Sequence, residues 1–176
     1  MNSIPFTIPA LHDSYRNGTS VSEIVELAFS RIEVVNDPGI FIHLLEKEEV
    51  LTAARGLGKF DESKPLWGIP YVVKDNIDVA GKPTTAACPD FTYIAKEDAF
   101  VIKCLKDAGA LLLGKVNLDQ FATGLVGVRS PYTPPKNAVD PSIVPGGSSS
   151  GSAVSVAHGF ACFSLGTDTA GSGRVP

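Results

Sequence analysis

A chain of 176 residues with 44% hydrophobic and 19% charged side chains can bury one sizeable core and is too apolar for a disordered segment. Fifteen basic against nineteen acidic side chains leave a net charge of −4, which argues against nucleic acid and against an anionic membrane as partners. No apolar run of about eighteen residues and no basic-then-apolar leader occurs, so neither a membrane span nor a secretory signal is predicted. In chain order, a short helix is predicted over 8–16, ending near Asn17-Gly18. Ser20 followed by Glu23 is a capping-box pair, and Val21, Ile24, Val25, Ala28 and Ile32 continue as one helical stripe that stops before Pro38-Gly39. Phe41 to Leu45 reads as a strand, 46–57 as a helix, and Ile69 to Val73 as a buried strand ending at Lys74. A helix over 98–108 closes at Gly109 and feeds the strand Ala110 to Leu113. A proline-rich surface connection, 131–147, leads into a glycine–serine loop, then a small-residue helix over 150–159 and a buried strand over 160–166. Strands alternating with helices predict an α/β layered fold on a largely parallel sheet.

The three cysteines, Cys88, Cys104 and Cys162, are odd in number and far apart. They lack metal-ligand spacing and are expected to be reduced, buried and inert in a cytoplasmic protein. No metal or cofactor motif is found. His12 and His43 sit in apolar patterns and His158 lies on the small-residue helix, so packing or surface roles are expected for all three.

Three segments carry chemistry. The first is Val72-Val-Lys-Asp-Asn-Ile-Asp78. Lys74 at a strand end is an ordinary solvated lysine or, if water is excluded around it, a neutral amine able to act as a base. Asp75, Asn76 and Asp78 read as structural hydrogen bonders in the following turn. The second segment, Pro145-Gly-Gly-Ser-Ser-Ser-Gly-Ser152, could be a linker, but linkers do not usually run straight into a helix and strand. It fits the G-x-S-x-G expression at Gly147–Gly151, yet no strong strand precedes it and His158 is too close to serve as triad base. It also resembles a phosphate loop, but Ser152 stands where lysine is required. The third is Gly166-Thr-Asp-Thr-Ala-Gly-Ser-Gly-Arg-Val-Pro176, where Ser172 between two glycines is either a turn residue or a nucleophile beside N–H groups able to hold an oxyanion. Lacking a histidine partner, a nucleophilic serine would need lysine as base.

Together these segments resemble the amidase signature family, with Ser148 lying 74 residues after Lys74 and Ser172 lying 24 after Ser148. The likeness runs from about residue 20 to the end and includes Leu66-Trp-Gly-Ile-Pro70, Ala108-Gly-Ala-Leu-Leu-Leu-Gly-Lys115 and Asn117-Leu-Asp-Gln-Phe-Ala122. It implies an α/β/α layered fold with a mixed, largely parallel sheet. It further implies an amide hydrolase without cofactor or metal, in which Ser172 is the nucleophile, Ser148 the bridging serine on a cis peptide bond, and Lys74 the base. The backbone N–H groups of Thr169, Ala170, Gly171 and Ser172 would form the oxyanion hole. Asp168, Arg174 and Ser149 would play supporting parts, Arg174 as a structural group rather than an anion binder.

Within that family, Ser148-Ser-Ser-Gly151, Pro83-Thr-Thr-Ala-Ala-Cys-Pro89, Arg129-Ser-Pro-Tyr132 and Thr169-Ala-Gly-Ser-Gly-Arg-Val-Pro176 resemble the allophanate-hydrolysing branch of urea degradation. The alternative branch is the amidotransferase subunit that hydrolyses glutamine for tRNA charging. Family domains are much longer than this chain. The resemblance therefore implies the N-terminal portion of one amidase domain, with a helical segment 1–39 and an α/β core 40–176. It places the groups that grip the substrate downstream and leaves the isolated segment catalytically silent. For the whole enzyme it implies a small amide substrate, a homodimer, and fusion to or cooperation with a biotin-dependent urea carboxylase.

Overall fold

A computed structural model describes residues 4–176. Helix α1 (Ile8–Arg16) is capped by the Thr7 hydroxyl, and α2 (Val21–Val35) carries the expected capping box. The Ser20 hydroxyl accepts from Glu23 N–H at 3.2 Å while the Glu23 carboxylate accepts from Ser20 N–H at 2.7 Å. Asn36, in the left-handed region at φ 45°, ends α2 ahead of Pro38. Strand β1 (Phe41–Leu44) and helix α3 (Lys47–Gly56) follow, then β2 (Pro70–Lys74), whose five residues are all buried. A short hairpin, β3 (Pro83–Thr84) with β4 (Tyr93–Ile94), precedes α4 (Phe100–Asp107) and β5 (Leu111–Val116). Helix α5 (Ser150–Ala157) and strand β6 (Phe163–Leu165) complete the order.

The main sheet runs β1-β5-β2-β6; β2 is parallel to both neighbours and β1 is antiparallel to β5. The fold is thus α/β on a mixed, mostly parallel sheet, as expected. Buried residues of α1, α2 and α3 share a core with Val72, Leu113 and Val116 on one sheet face. On the other face, Tyr71 and Val73 pack with Ile102 of α4.

Two local expectations change, and one element was not foreseen. The apolar run 160–166 forms a strand over 163–165 alone, half-buried at the end of the sheet order. The hairpin β3–β4 has two residues per strand, too short to leave a periodic signal. Cys104 is exposed on α4, and Cys88 and Cys162 are half-buried, so burial does not explain all three thiols.

Candidate active site

Alternation along β2 puts Val72 and Lys74 on the face opposite Tyr71 and Val73, and Lys74 is fully buried. Its Nζ lies 2.7 Å from Ser148 Oγ, 3.0 Å from Ser149 Oγ, 2.8 Å from Thr167 Oγ1 and 3.4 Å from Thr167 O. Hydroxyls and a carbonyl solvate the ammonium weakly compared with water or a carboxylate. Burial therefore lowers its pKa from 10.5 to about 8, against the opposing pull of the Asp119 and Asp168 charges.

Ser148 reaches Lys74 from a loop with a cis peptide bond between Gly147 and Ser148. Asp119 builds that loop: its N–H donates to Ser148 O at 3.1 Å, and its carboxylate accepts from Gly127 N–H at 3.0 Å and Arg129 N–H at 2.8 Å. A Cβ on Gly147 would stand 2.2 Å from Asp119 Oδ2 and 2.5 Å from Gly127 N, so the approach demands glycine. Asn117 fixes the base of the same loop. Its Nδ2 donates to Gly39 O and Thr133 O at 2.9 and 3.0 Å, its Oδ1 accepts from Leu118 N–H and Ser130 Oγ, each at 2.8 Å, and its carbonyl receives Gly151 N–H at 3.0 Å.

Ser149, at the start of α5, joins the two loops through its N–H, which donates to Ser172 O at 3.1 Å. Ser172 is 6% exposed. Among the described residues its hydroxyl makes no hydrogen bond, so the structure brings Lys74, Ser148 and Ser149 into direct contact and attaches Ser172 through the backbone. Asp168 clamps the Ser172 loop by accepting from Gly171 N–H (2.6 Å), Gly173 N–H (3.1 Å), Arg174 Nε (2.8 Å) and Arg174 Nη2 (3.0 Å). The Arg174 guanidinium first, and the backbone N–H groups with it, hold the Asp168 carboxyl well below the usual carboxylate range. Arg174 thus spends its guanidinium on the loop it belongs to. Gly171 is the exception within the expected oxyanion set, because its N–H already serves Asp168. The N–H groups of Thr169, Ala170 and Ser172 meet no acceptor among the described residues. A cavity of about 350 Å³ opens on the Ser149 side of the cluster, lined by Ser149, Ser152, Thr167, Asp168 and Gly173.

Sequence reasoning missed a second buried lysine. Lys115 on β5 pairs with Asp75 at 3.1 Å, both side chains fully buried, and donates to Pro83 O at 2.7 Å and Thr84 Oγ1 at 2.6 Å. Asp75 also accepts from Thr85 N–H at 2.9 Å, and Asp78 accepts from Thr84 and Tyr93 hydroxyls, each at 2.8 Å. Thr167 and Asn117 were likewise not singled out, since a threonine in a loop and an asparagine after a strand carry no local signal. No group of three or more His, Cys, Asp or Glu is placed to hold a metal among the described residues. Nor, among those residues, does any of the three histidines bond to the serine cluster.

Known proteins resemble the chain in sequence and fold. The chain is 54% identical to the urea amidolyase of Saccharomyces cerevisiae over 138 residues, covering 77% of this chain and 8% of that protein. It is 48% identical to a glutamyl-tRNA(Gln) amidotransferase component of Lawsonia intracellularis over 163 residues, 89% of this chain and 33% of the relative. The structure of Kluyveromyces lactis allophanate hydrolase superposes with a TM-score of 0.84 at 43% identity, covering 97% of this chain and 28% of that one. The chain therefore spans a third or less of the length of these relatives. The Amidase family matches residues 23–176, nearly the whole chain, and the chain belongs to the amidase signature family of amide hydrolases.

Proposed function

We propose that this segment supplies the nucleophile, relay and base of an allophanate hydrolase, which releases ammonia from the terminal amide of allophanate. The observation that carries the reading is the fully buried Lys74 Nζ 2.7 Å from Ser148 Oγ, with no carboxylate in bonding contact among the described residues. As a neutral amine, Lys74 accepts the Ser148 proton while Ser148 accepts the proton of Ser172. Ser172 Oγ bonds to the amide carbon, and the charge that develops on the carbonyl oxygen is met by the free N–H groups of Thr169, Ala170 and Ser172. The proton held by Lys74 returns through Ser148 to the leaving nitrogen, the C–N bond breaks, and ammonia departs. Water then hydrolyses the acyl-serine by the same relay in reverse. The likeness to the yeast urea amidolyase and to the Kluyveromyces lactis allophanate hydrolase supports allophanate as substrate, with the segment working beside a urea carboxylase. The 48% identity to an amidotransferase component over 89% of the chain favours glutamine as the second reading. Residues 1–176 alone we propose to be silent, the substrate-gripping groups being supplied by further chain.

The test is ammonia release by a complete amidase domain that begins with these residues, given allophanate or glutamine. Allophanate turnover that disappears in Lys74→Ala and does not return in Lys74→Arg is expected, because arginine keeps its proton. Glutamine turnover without allophanate turnover selects the second reading. An active Lys74→Arg enzyme removes Lys74 as the base.

A further inference from the structure

Strand β2 ends at Lys74 and the chain turns at once: Ile77 N–H donates to Lys74 O at 3.0 Å, with Asp75 and Asn76 at the centre of the turn. The turn is fixed on its Asp75 side. Asp75 N–H donates to Val116 O at 3.0 Å, and the Asp75 carboxylate holds Lys115 and Thr85 N–H. The side chain of Asn76 thereby comes back toward the base. Its Nδ2 donates to Thr167 Oγ1 at 3.2 Å, the same oxygen that accepts from Lys74 Nζ at 2.8 Å. Its Oδ1 is buried and meets no donor among the described residues. A half-satisfied buried amide costs stability rather than adding it, so stability does not account for Asn76 at this position.

Two N–H donors therefore converge on one hydroxyl. A hydroxyl oxygen has two lone pairs, and here both are taken. Donor hydrogens brought to one oxygen repel each other, and an oxygen drawn on by one donor offers less electron density to the next. A hydrogen bond to the charged form favours that form, so a weaker Thr167 bond lets the ammonium lose its proton more easily. The other groups around Nζ are held independently of Asn76. Ser149 Oγ, 3.0 Å away, donates to Thr167 O at 3.2 Å, and Ser148 Oγ, 2.7 Å away, is the proposed relay. The charges facing Lys74 are Asp119 and Asp168, both of which favour the ammonium. Asp168 is paired with Arg174, and Asp75 with Lys115. Asn76 is uncharged, so its influence passes through the Thr167 hydroxyl.

We propose that Asn76 is a positioning residue of this site: by donating to Thr167 Oγ1 it loosens the hold of that hydroxyl on the Lys74 ammonium and keeps the amine available to Ser148. The inference rests on Lys74 as the base, so its test reads the lysine both directly and through catalysis.

The experiment is a pH titration of the Lys74 ε-carbon by carbon-13 NMR, in a complete amidase domain carrying this segment. The resonance is identified by its loss in Lys74→Met, and kcat/KM for ammonia release from allophanate is followed over the same range. In Asn76→Leu, which deletes the donor at similar volume, the apparent pKa of Lys74 is expected to rise by about half a pH unit. From a value of about 8, that rise leaves about threefold less neutral amine at pH 7 and no measurable difference at pH 10. The kcat/KM should accordingly fall about threefold at pH 7 and recover at pH 10. In a Thr167→Val background the same substitution should have no effect, because the shared oxygen is gone; an asparagine that only braced the turn would not behave so. Asn76→Met deletes the same donor with a more pliant side chain and repeats the measurement should Asn76→Leu disturb the turn. An unchanged or lowered pKa, or an equal rise in the Thr167→Val background, overturns the proposal. A rise in the NMR titration with an unchanged kcat/KM profile leaves the Asn76 coupling standing and overturns Lys74 as the base.

Discussion

If Lys74 is the base, activity must follow its neutral fraction, and the structure sets where that fraction changes. An unperturbed lysine at 10.5 is neutral in about three molecules per ten thousand at pH 7. Burial against hydroxyls lowers the value to about 8, so about one molecule in ten is neutral at pH 7 and about nine in ten at pH 9. Desolvation therefore raises the supply of active base roughly 300-fold at pH 7. The expected result is a kcat/KM that rises about tenfold between pH 7 and 9 with an apparent pKa near 8, since kcat/KM reports groups of the free enzyme. The assay is ammonia release from saturating and subsaturating allophanate across that range, in a complete domain carrying this segment. Thr167→Val supplies a control. It removes the hydroxyl 2.8 Å from Nζ, a partner of the charged form, and should move the apparent pKa further down. A profile flat from pH 7 to 9, or one centred near the ordinary lysine value, would refute the reasoning from burial.

Ser172→Ala in the same domain should abolish turnover with the melting temperature within a few degrees of wild type; retained ammonia release would transfer the nucleophile's role to Ser149. Lys74→Met should stabilise the fold at neutral pH. The folded pKa of about 8 lies below the unfolded 10.5, so the unfolded chain binds more protons between those values and wild-type stability rises with pH across that window, by about 2.5 kcal/mol from pH 7 to 10. Denaturant titrations of wild type and Lys74→Met at both pH values should show that difference, and parallel pH dependences would exclude burial as its source. Asn117→Ala should cost about 2 kcal/mol, because it strips partners from the buried Gly39 carbonyl and Leu118 N–H and loosens the more exposed Thr133 carbonyl; a melt unchanged from wild type would count against its role as the loop's anchor. Gly147→Ala should fail to assemble the Ser148 loop, since the new Cβ meets Asp119 Oδ2 at 2.2 Å, and normal turnover by that variant would show that the loop can yield.

What could be read in the sequence was whatever depends on neighbours along the chain. The capping box at Ser20 and Glu23 is a three-residue relation and formed as expected. The strand over Pro70–Lys74 announces itself as a continuous apolar run, and the glycines around Ser172 mark a loop. The antiparallel pairing of β1 with β5 is different in kind: Phe41 faces Val116 across 75 residues, and nothing in either segment fixes direction. Gly171 is a similar case. Its place beside Ser172 suggested an oxyanion donor, but the carboxylate of Asp168 reaches that N–H first, a competition visible only once the loop has closed. The Asp75–Lys115 pair joins residues 40 apart in the sequence, and each looks locally like an ordinary charged side chain.

That pair also bears on why the proposed mechanism takes Lys74 rather than Lys115 as the base. Both sit toward the ends of adjacent parallel strands, with Lys74 opposite Val116 and Lys115 opposite Val73, so alternation sends them to opposite faces of the sheet. Burial pulls both ammonium groups down from the ordinary lysine value. At Lys115 the pull is opposed by a carboxylate in contact, Asp75 at 3.1 Å, together with bonds to Pro83 O and Thr84 Oγ1. Removing that proton would leave Asp75 buried without its counter-ion, which is costly, so Lys115 stays charged and fastens β5 to the segment around Thr84. At Lys74 the nearest atoms are serine and threonine oxygens, each able to donate as readily as it accepts. Loss of the proton there leaves no charge stranded, because the Ser148 hydroxyl can turn and donate to the free amine. On the proposed mechanism, the same residue type, equally buried, serves structure or proton transfer according to whether its first neighbour is an anion or a hydroxyl.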